Sequence, residues 1–142
     1  MTTALCLLLL CAAPPEPAKA KALPASDMAI LYFMAGDLRR AVDTARGGMQ
    51  TDAAKCKVLL PMLVEYEFRI GHRDTLTGPE ARQLLEWDRK ISPGKPAKLT
   101  GPVIRRYFDT PLQSAKTAAA GEDLPRAQKL LAQALEVDPT NV

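Results

Sequence analysis

The stretch LPRAQKLLAQALEVDPTN, Leu124 to Asn141, decides the fold class. Leu124, Ala127, Leu131, Ala134 and Leu135 return at steps of three and four, the spacing that gathers side chains on one face of an α-helix. Arg126, Gln128, Lys129, Gln133 and Glu136 lie between them and are expected to meet water while the apolar face packs. Pro139 has no amide hydrogen to give to a helical ladder, so the element should end there.

Composition extends this helical reading to the whole chain. Its 142 residues are enough for one compact domain, and the 47% apolar content is that of a globular fold. Only 5% of residues are aromatic, so the core must come from Leu, Ala, Val, Ile and Met. Such a core suits close-packed helices better than a sheet, which favours β-branched and aromatic side chains. An all-α domain is expected. The net charge of +3 is too small to argue for nucleic acid.

The first stretch reads as a targeting segment. Ala4 to Ala13 is a continuous apolar run, too short to span a bilayer but of the length found in a secretory signal. Two processing routes compete. Ala18-Lys19-Ala20 offers a small-x-small cleavage pattern that would leave a signal of residues 1–20, with the domain over 26–142. Alternatively, Cys11 after Leu8, Leu9 and Leu10 resembles a bacterial lipoprotein attachment site, with a Pro/Ala/Lys tether to Ala25. Either way the expected location is periplasmic or attached to the outer membrane. Cys56 is then the lone cysteine of the mature domain, so stability must come from packing.

Along that domain, Ser26 or Asp27 is expected to cap a first helix that runs through Met34, and Gly36 to break it. Asp37 caps a second helix with an apolar stripe of Leu38, Ala41, Val42, Ala45 and Met49. A third opens near Thr51 or Asp52 and holds the most hydrophobic run, Val58 to Ile70, with a kink or break expected at Pro61. Thr77-Gly78-Pro79-Glu80 is a capping box that starts a fourth helix, which Pro93 stops. Pro102 opens a short helix, Thr110 with Pro111 and Gln113 looks like a fresh cap for a separate helix to Ala120, and Asp123 caps the last.

The order small, large, small, proline at Ala127, Leu131, Ala134 and Pro139 resembles the second helix of a tetratricopeptide repeat. Ala29, Tyr32, Gly36, Leu38 and Ala41 resemble a first repeat, and Ala81, Leu85, Asp88 and Pro93 repeat the four, three, five spacing in the middle of the chain, with Asp88 in place of a small residue. Gaps between Ala41, Ala81 and Ala127 exceed the family's period of about 34 residues, and the excess falls in 71–76 and 92–110. The resemblance implies a degenerate TPR-like α-solenoid of about three stacked antiparallel helix hairpins, of an exported bacterial type. Its repeat-packing residues would be Ala29, Gly36, Ala41, Ala81, Leu85, Ala127, Leu131, Ala134 and Pro139. Such an array carries a concave face that takes a peptide or a helix of another protein. A nonrepeating helical bundle is the alternative.

No constellation of catalytic residues is found. His72 is the sole histidine and sits in a loop-like stretch; Gly-rich phosphate or dinucleotide fingerprints are absent. No enzyme activity, metal site or cofactor is expected. Arg89, Lys90, Lys95, Lys98, Arg105 and Arg106 form a basic stretch, read first as a solvated loop with helix-end charges and second as a patch for an anionic surface. The expected function is a non-enzymatic scaffold or adaptor of the cell envelope. It would bind another protein, and no nucleic acid, through Tyr32, Met34, Tyr66, Phe68 and Arg69. A self-associating structural subunit or lipid-anchored assembly factor, using the uncapped last helix, is the competing expectation.

Overall fold

A computed structural model describes residues 22–94 and 98–141. The expected signal and lipoprotein segments, and Lys95 of the basic stretch, lie outside the described residues. The fold is all-α. Helices α1 (Ala25–Ala35), α2 (Leu38–Gly47), α3 (Ala53–Gly71) and α4 (Gly78–Ile91) are followed by α5 (Gly101–Ile104), a π-helical turn (Arg105–Asp109), α6 (Thr110–Ala120) and α7 (Leu124–Val137). None of these helices is long and apolar enough to cross a membrane.

Local chemistry accounts for most of the boundaries. Gly36 ends α1 at φ 87°, a left-handed conformation that costs glycine little. Asp37 then accepts a hydrogen bond from the Arg40 amide, 3.2 Å, and caps α2. At the start of α4 the Glu80 carboxylate accepts from the Thr77 amide at 2.8 Å and from its hydroxyl at 2.9 Å. These two bonds, with Arg69 nearby, hold the Glu80 carboxyl below the usual carboxylate range. Asp123 caps α7 through the Arg126 amide, 3.2 Å.

Three boundary expectations are corrected. Neither Ser26 nor Asp27 caps α1, which starts after Pro24. Ser26 is instead buried and donates through its amide, 3.2 Å, and its hydroxyl to the Asp52 carboxylate, which ties α1 to the start of α3. Of the kink or break expected at Pro61 the break is excluded, since the helical assignment of α3 is continuous from Ala53 to Gly71. Pro61 stands on the exposed side, where solvent can serve the carbonyl its ring leaves without a partner.

Thr110, finally, begins α6, which reaches Ala120 as expected, but it does not act as a cap. Backbone angles remain helical from Ile104 through Thr110, so α5, the π turn and α6 form one rod. The Thr110 hydroxyl turns back to the Arg105 carbonyl, 2.8 Å, rather than forward as a cap. A proline inside a rod removes an amide and crowds the carbonyl four residues earlier; the widened π turn just before Pro111 relieves that crowding.

The core is concentrated in the first four helices. Ala29, Phe33, Ala41, Ala45, Leu63, Tyr66, Ala81 and Leu84 are all 0% exposed. Phe33 and Tyr66 meet edge to face, with centroids 4.9 Å apart. α1 packs on α2, both touch α3, and α4 packs against α7, which also lies on α6 and the π turn. Two clasps fix the C-terminal part. Arg89 of α4 meets Asp138 beyond α7 at 2.7 Å. Arg106 and Tyr107 of the π turn hold the α3–α4 loop through Asp74 (3.1 Å) and the Arg73 carbonyl (2.8 Å).

The last helix departs most from expectation. Leu124 is 59% and Leu131 37% exposed and Ala127 and Leu135 are half-buried, so the face expected to pack into the core is covered only in part; Ala134 and Val137, near its end, are the buried residues of α7.

Candidate protein-interaction surfaces

Helix α3 carries large apolar side chains on both sides, with Lys57 and Glu65 among those of the outer one. Toward the core it sends Cys56, Leu59, Leu63 and Tyr66, all buried. Burial and the Asp52 charge push the Cys56 thiol above its usual pKa, which leaves it the protonated, inert form. On the opposite side stand Val58, 63% exposed, Pro61, Val64, 43% exposed, and Phe68, 62% exposed. Phe68 lies against the His72 ring with centroids 4.6 Å apart, and His72 Nδ1 is 2.9 Å from the Phe68 carbonyl oxygen. Leu31 of α1, 49% exposed, adds a further large apolar side chain to the surface.

A groove of about 430 Å³ opens where α1, α3 and α4 converge. Ile30, Val58, Leu59, Met62 and Ile91 line it, with Lys55 and Lys90 at its edge. A second groove, about 370 Å³, runs between α6 and α7 and is lined by Leu112, Ala115, Ala119, Leu124, Ala127 and Leu131.

Of the residues expected to bind a partner, the structure separates two groups. Phe68 is exposed, and Tyr32 and Met34 are half-buried, with the Arg40 guanidinium 5.9 Å from the centre of the Tyr32 ring. Tyr66 must be reassigned: it is wholly buried, and burial together with the Asp88 charge pushes its phenol pKa up. Arg69, whose side chain is only 18% exposed, is committed to Glu65 at 2.9 Å and Glu80 at 3.0 Å and lies over Trp87. Both serve the fold rather than an open face. Val58 and Val64 are the surface residues that sequence reasoning missed. Their signal was the absence of any polar side to the run Val58–Val64, apart from its flanking charges.

Among the residues expected to pack repeats, Ala29, Ala41, Ala81 and Ala134 are 0% exposed and Leu85 is 4%. Ala127 is half-buried, while Leu131 and Pro139 are exposed. The basic stretch is not one patch. Arg89 and Arg106 are paired with Asp138 and Asp74, Lys90 borders the α1–α3–α4 groove, Lys98 lies beside the Gly36 turn, and Arg105 is exposed. Among the described residues no three His, Cys, Asp or Glu side chains cluster as metal ligands. No family model matches the chain, and neither a curated protein nor a solved structure does.

Proposed function

We propose that this chain is a non-enzymatic scaffold or adaptor that binds another protein through the outer side of α3 and the adjoining surface of α1. The carrying observation is the row Val58, Val64 and Phe68, all large, apolar and exposed on a helix whose other side is core. Leaving such a row in water forgoes about 25 cal/mol for each Å² that a partner would cover. Burial of Ala29, Ala41, Ala81 and Ala134, which lets helices approach closely, is what a degenerate TPR-like array needs at those positions. In that array α1 with α2 and α3 with α4 are the first two units, and the rod ending in α6 pairs with α7 as the third. The leading apolar run, Ala4 to Ala13, supports export to the cell envelope, free or lipid-attached.

A second reading, self-association through the last hairpin, is favoured by the open α6–α7 groove with Leu124 and Leu131 exposed. One experiment separates the two. A photo-crosslinking amino acid is placed at Phe68, at Leu131 or at the solvated control Gln83 in the full chain, in its native cells. Adducts to one recurrent other protein from position 68, absent from 83, are the expected result. Adducts of the chain with itself from position 131 alone would replace the first reading by the second, and silence at both positions would refute both.

A further inference from the structure

The outer face of α3 complements itself when a second copy runs in the opposite direction. At about 100° per residue, Ala54, Lys57, Val58, Val64, Glu65 and Phe68 all fall within about 60° of the direction of Pro61. All are exposed but Glu65, whose side chain still keeps 44% of its surface in solvent. An antiparallel α3 of a second copy, related by a two-fold axis at Pro61, sets opposite each residue the one equally far from Pro61 on the other side. Four residues out, Lys57 then meets Glu65 of the second copy, and three residues out Val58 meets Val64. Seven residues out, the large Phe68 ring meets the small Ala54. Symmetry makes each of these pairs occur twice. A parallel arrangement would instead bring like charges to the same level. The charges are open to such a contact. Among the described residues Lys57 makes no ion pair, and Arg69 takes only Oε1 of Glu65, at 2.9 Å.

We infer that in the free chain this face is covered by α3 of a second copy, antiparallel and centred on Pro61, and that a partner protein binds the face by displacing that copy. The dimer stands without the protein-binding reading above; only the displacement rests on it. One helix pair is a small contact, below about 1,200 Å² of buried surface, so monomer and dimer exchange with a dissociation constant of about 10–100 µM.

The test is sedimentation of the purified full chain at low salt, across that concentration range and about tenfold above it. Lys57→Glu and Glu65→Lys should each raise the dissociation constant about tenfold, because two opposed pairs turn from attraction to repulsion. An equimolar mixture of the two variants should return to within about threefold of the natural chain, since the mixed dimer again opposes unlike charges at both places, and this recovery should fade as salt rises. A chain that stays monomeric, a dimer that Lys57→Glu leaves unchanged, or a mixture as weak as either variant with both thermal melts intact would each overturn the inference. Should Glu65→Lys fail to fold, a photo-crosslinking amino acid decides the register: at Pro61 it should yield covalent dimer, lost with Lys57→Glu, and at Glu67, about 120° round the helix, none. Equal yields at 61 and 67 would overturn the two-fold axis at Pro61. Crosslinks from position 68 to another protein in cells, with the purified chain monomeric, would overturn the dimer and leave the protein-binding reading standing. Crosslinks of the chain only to itself from position 68 would uphold the dimer and remove that reading.

Discussion

Leu131 and Leu63 are both leucines on helical apolar stripes, and the structure gives them opposite energetic weight. Leu63 is 0% exposed, so Leu63→Ala loses the transfer energy of the deleted carbons and leaves a cavity, about 3–5 kcal/mol. Leu131 keeps 37% of its surface in solvent, so roughly six-tenths of its side chain is covered. Deleting three carbons at about 0.8 kcal/mol per buried methylene, scaled by that fraction, gives about 1.5 kcal/mol for Leu131→Ala. No cavity adds to it, because the site already opens into the α6–α7 groove. Urea unfolding followed by far-ultraviolet circular dichroism measures both. With a slope of about 1.5 kcal/mol per molar, the midpoint should fall by about 1 M for Leu131→Ala and by at least about 2 M for Leu63→Ala. Leu131→Glu should still unfold cooperatively, since its carboxylate can reach water through the open groove. Equal midpoint losses for the two alanine variants, or a collapsed Leu131→Glu chain, would show that α7 is packed as its sequence pattern suggested and would remove the second groove.

Other expectations follow from glycine, aromatic and carboxylate positions. A β-carbon on Gly48 would lie 2.5 Å from the Ala25 Cβ and 2.6 Å from the Cys56 sulfur, so Gly48→Ala should destabilise by about 1–3 kcal/mol. Nothing lies within 4 Å of such an atom on Gly47, the last residue of α2, and Gly47→Ala should be neutral or stabilising by up to about 1 kcal/mol in the same unfolding assay. Phe68→Glu should change stability by less than about 0.5 kcal/mol, while Tyr66→Ala should cost about 3–5 kcal/mol; thermal melts distinguish them. Burial raises the Asp138 pKa, but bonds from Thr140 and Arg89 outweigh it and hold the group below its ordinary 3.8. A depressed folded value means stability that is present above 3.8 and lost as pH falls through the folded value. The stability gap between the natural chain and Asp138→Asn should therefore be constant from pH 7 to about 5 and shrink toward pH 2; a gap that grows on acidification would contradict the clasp.

What was legible in the sequence was local. Gly36, Asp37, Thr77 with Glu80, and Asp123 each satisfy or end a helical ladder within four residues of themselves, and no distant partner can change that. The same local reasoning failed at Ser26 and Thr110, where a distant or unusual partner competes for the hydroxyl. Ser26 goes to Asp52, 26 residues away, and Thr110 turns back along a π turn that no cap pattern encodes. The expected solvated face of α7 held for Arg126, Gln128, Lys129, Gln133 and Glu136, all exposed. Its apolar face is covered only toward its end, at Ala134, because periodicity reports that a face is apolar, and not how far a neighbour covers it.

The α3 helix shows the same limit at the level of the candidate site. Tyr66 and Phe68 are two residues apart, so they point about 200° away from one another around a helix of 3.6 residues per turn. Only one of them can face the core. An amphipathic helix settles the choice through its polar side, but Val58 to Val64 offers none, and the signal is left to the flanking charges, of which Lys57 falls about 20° from the Phe68 direction and Glu65 about 60° from it. The direction is fixed from outside, by Phe33 of α1 against the Tyr66 ring, and by Ser26 with Asp52 at the other end. Once α1 claims Tyr66, the opposite row of Val58, Pro61, Val64 and Phe68 is left to solvent. The ambiguity that hides the phase of α3 in the sequence is thus the same property that leaves the helix with a second apolar side. Replacing Val58, Val64 and Phe68 together by glutamine would give α3 a single apolar side. If that row serves a partner and not the fold, the triple variant should unfold at a midpoint within about 1 kcal/mol of the natural chain and lose its crosslinks. A variant that unfolds outright would place the row in the chain's own core.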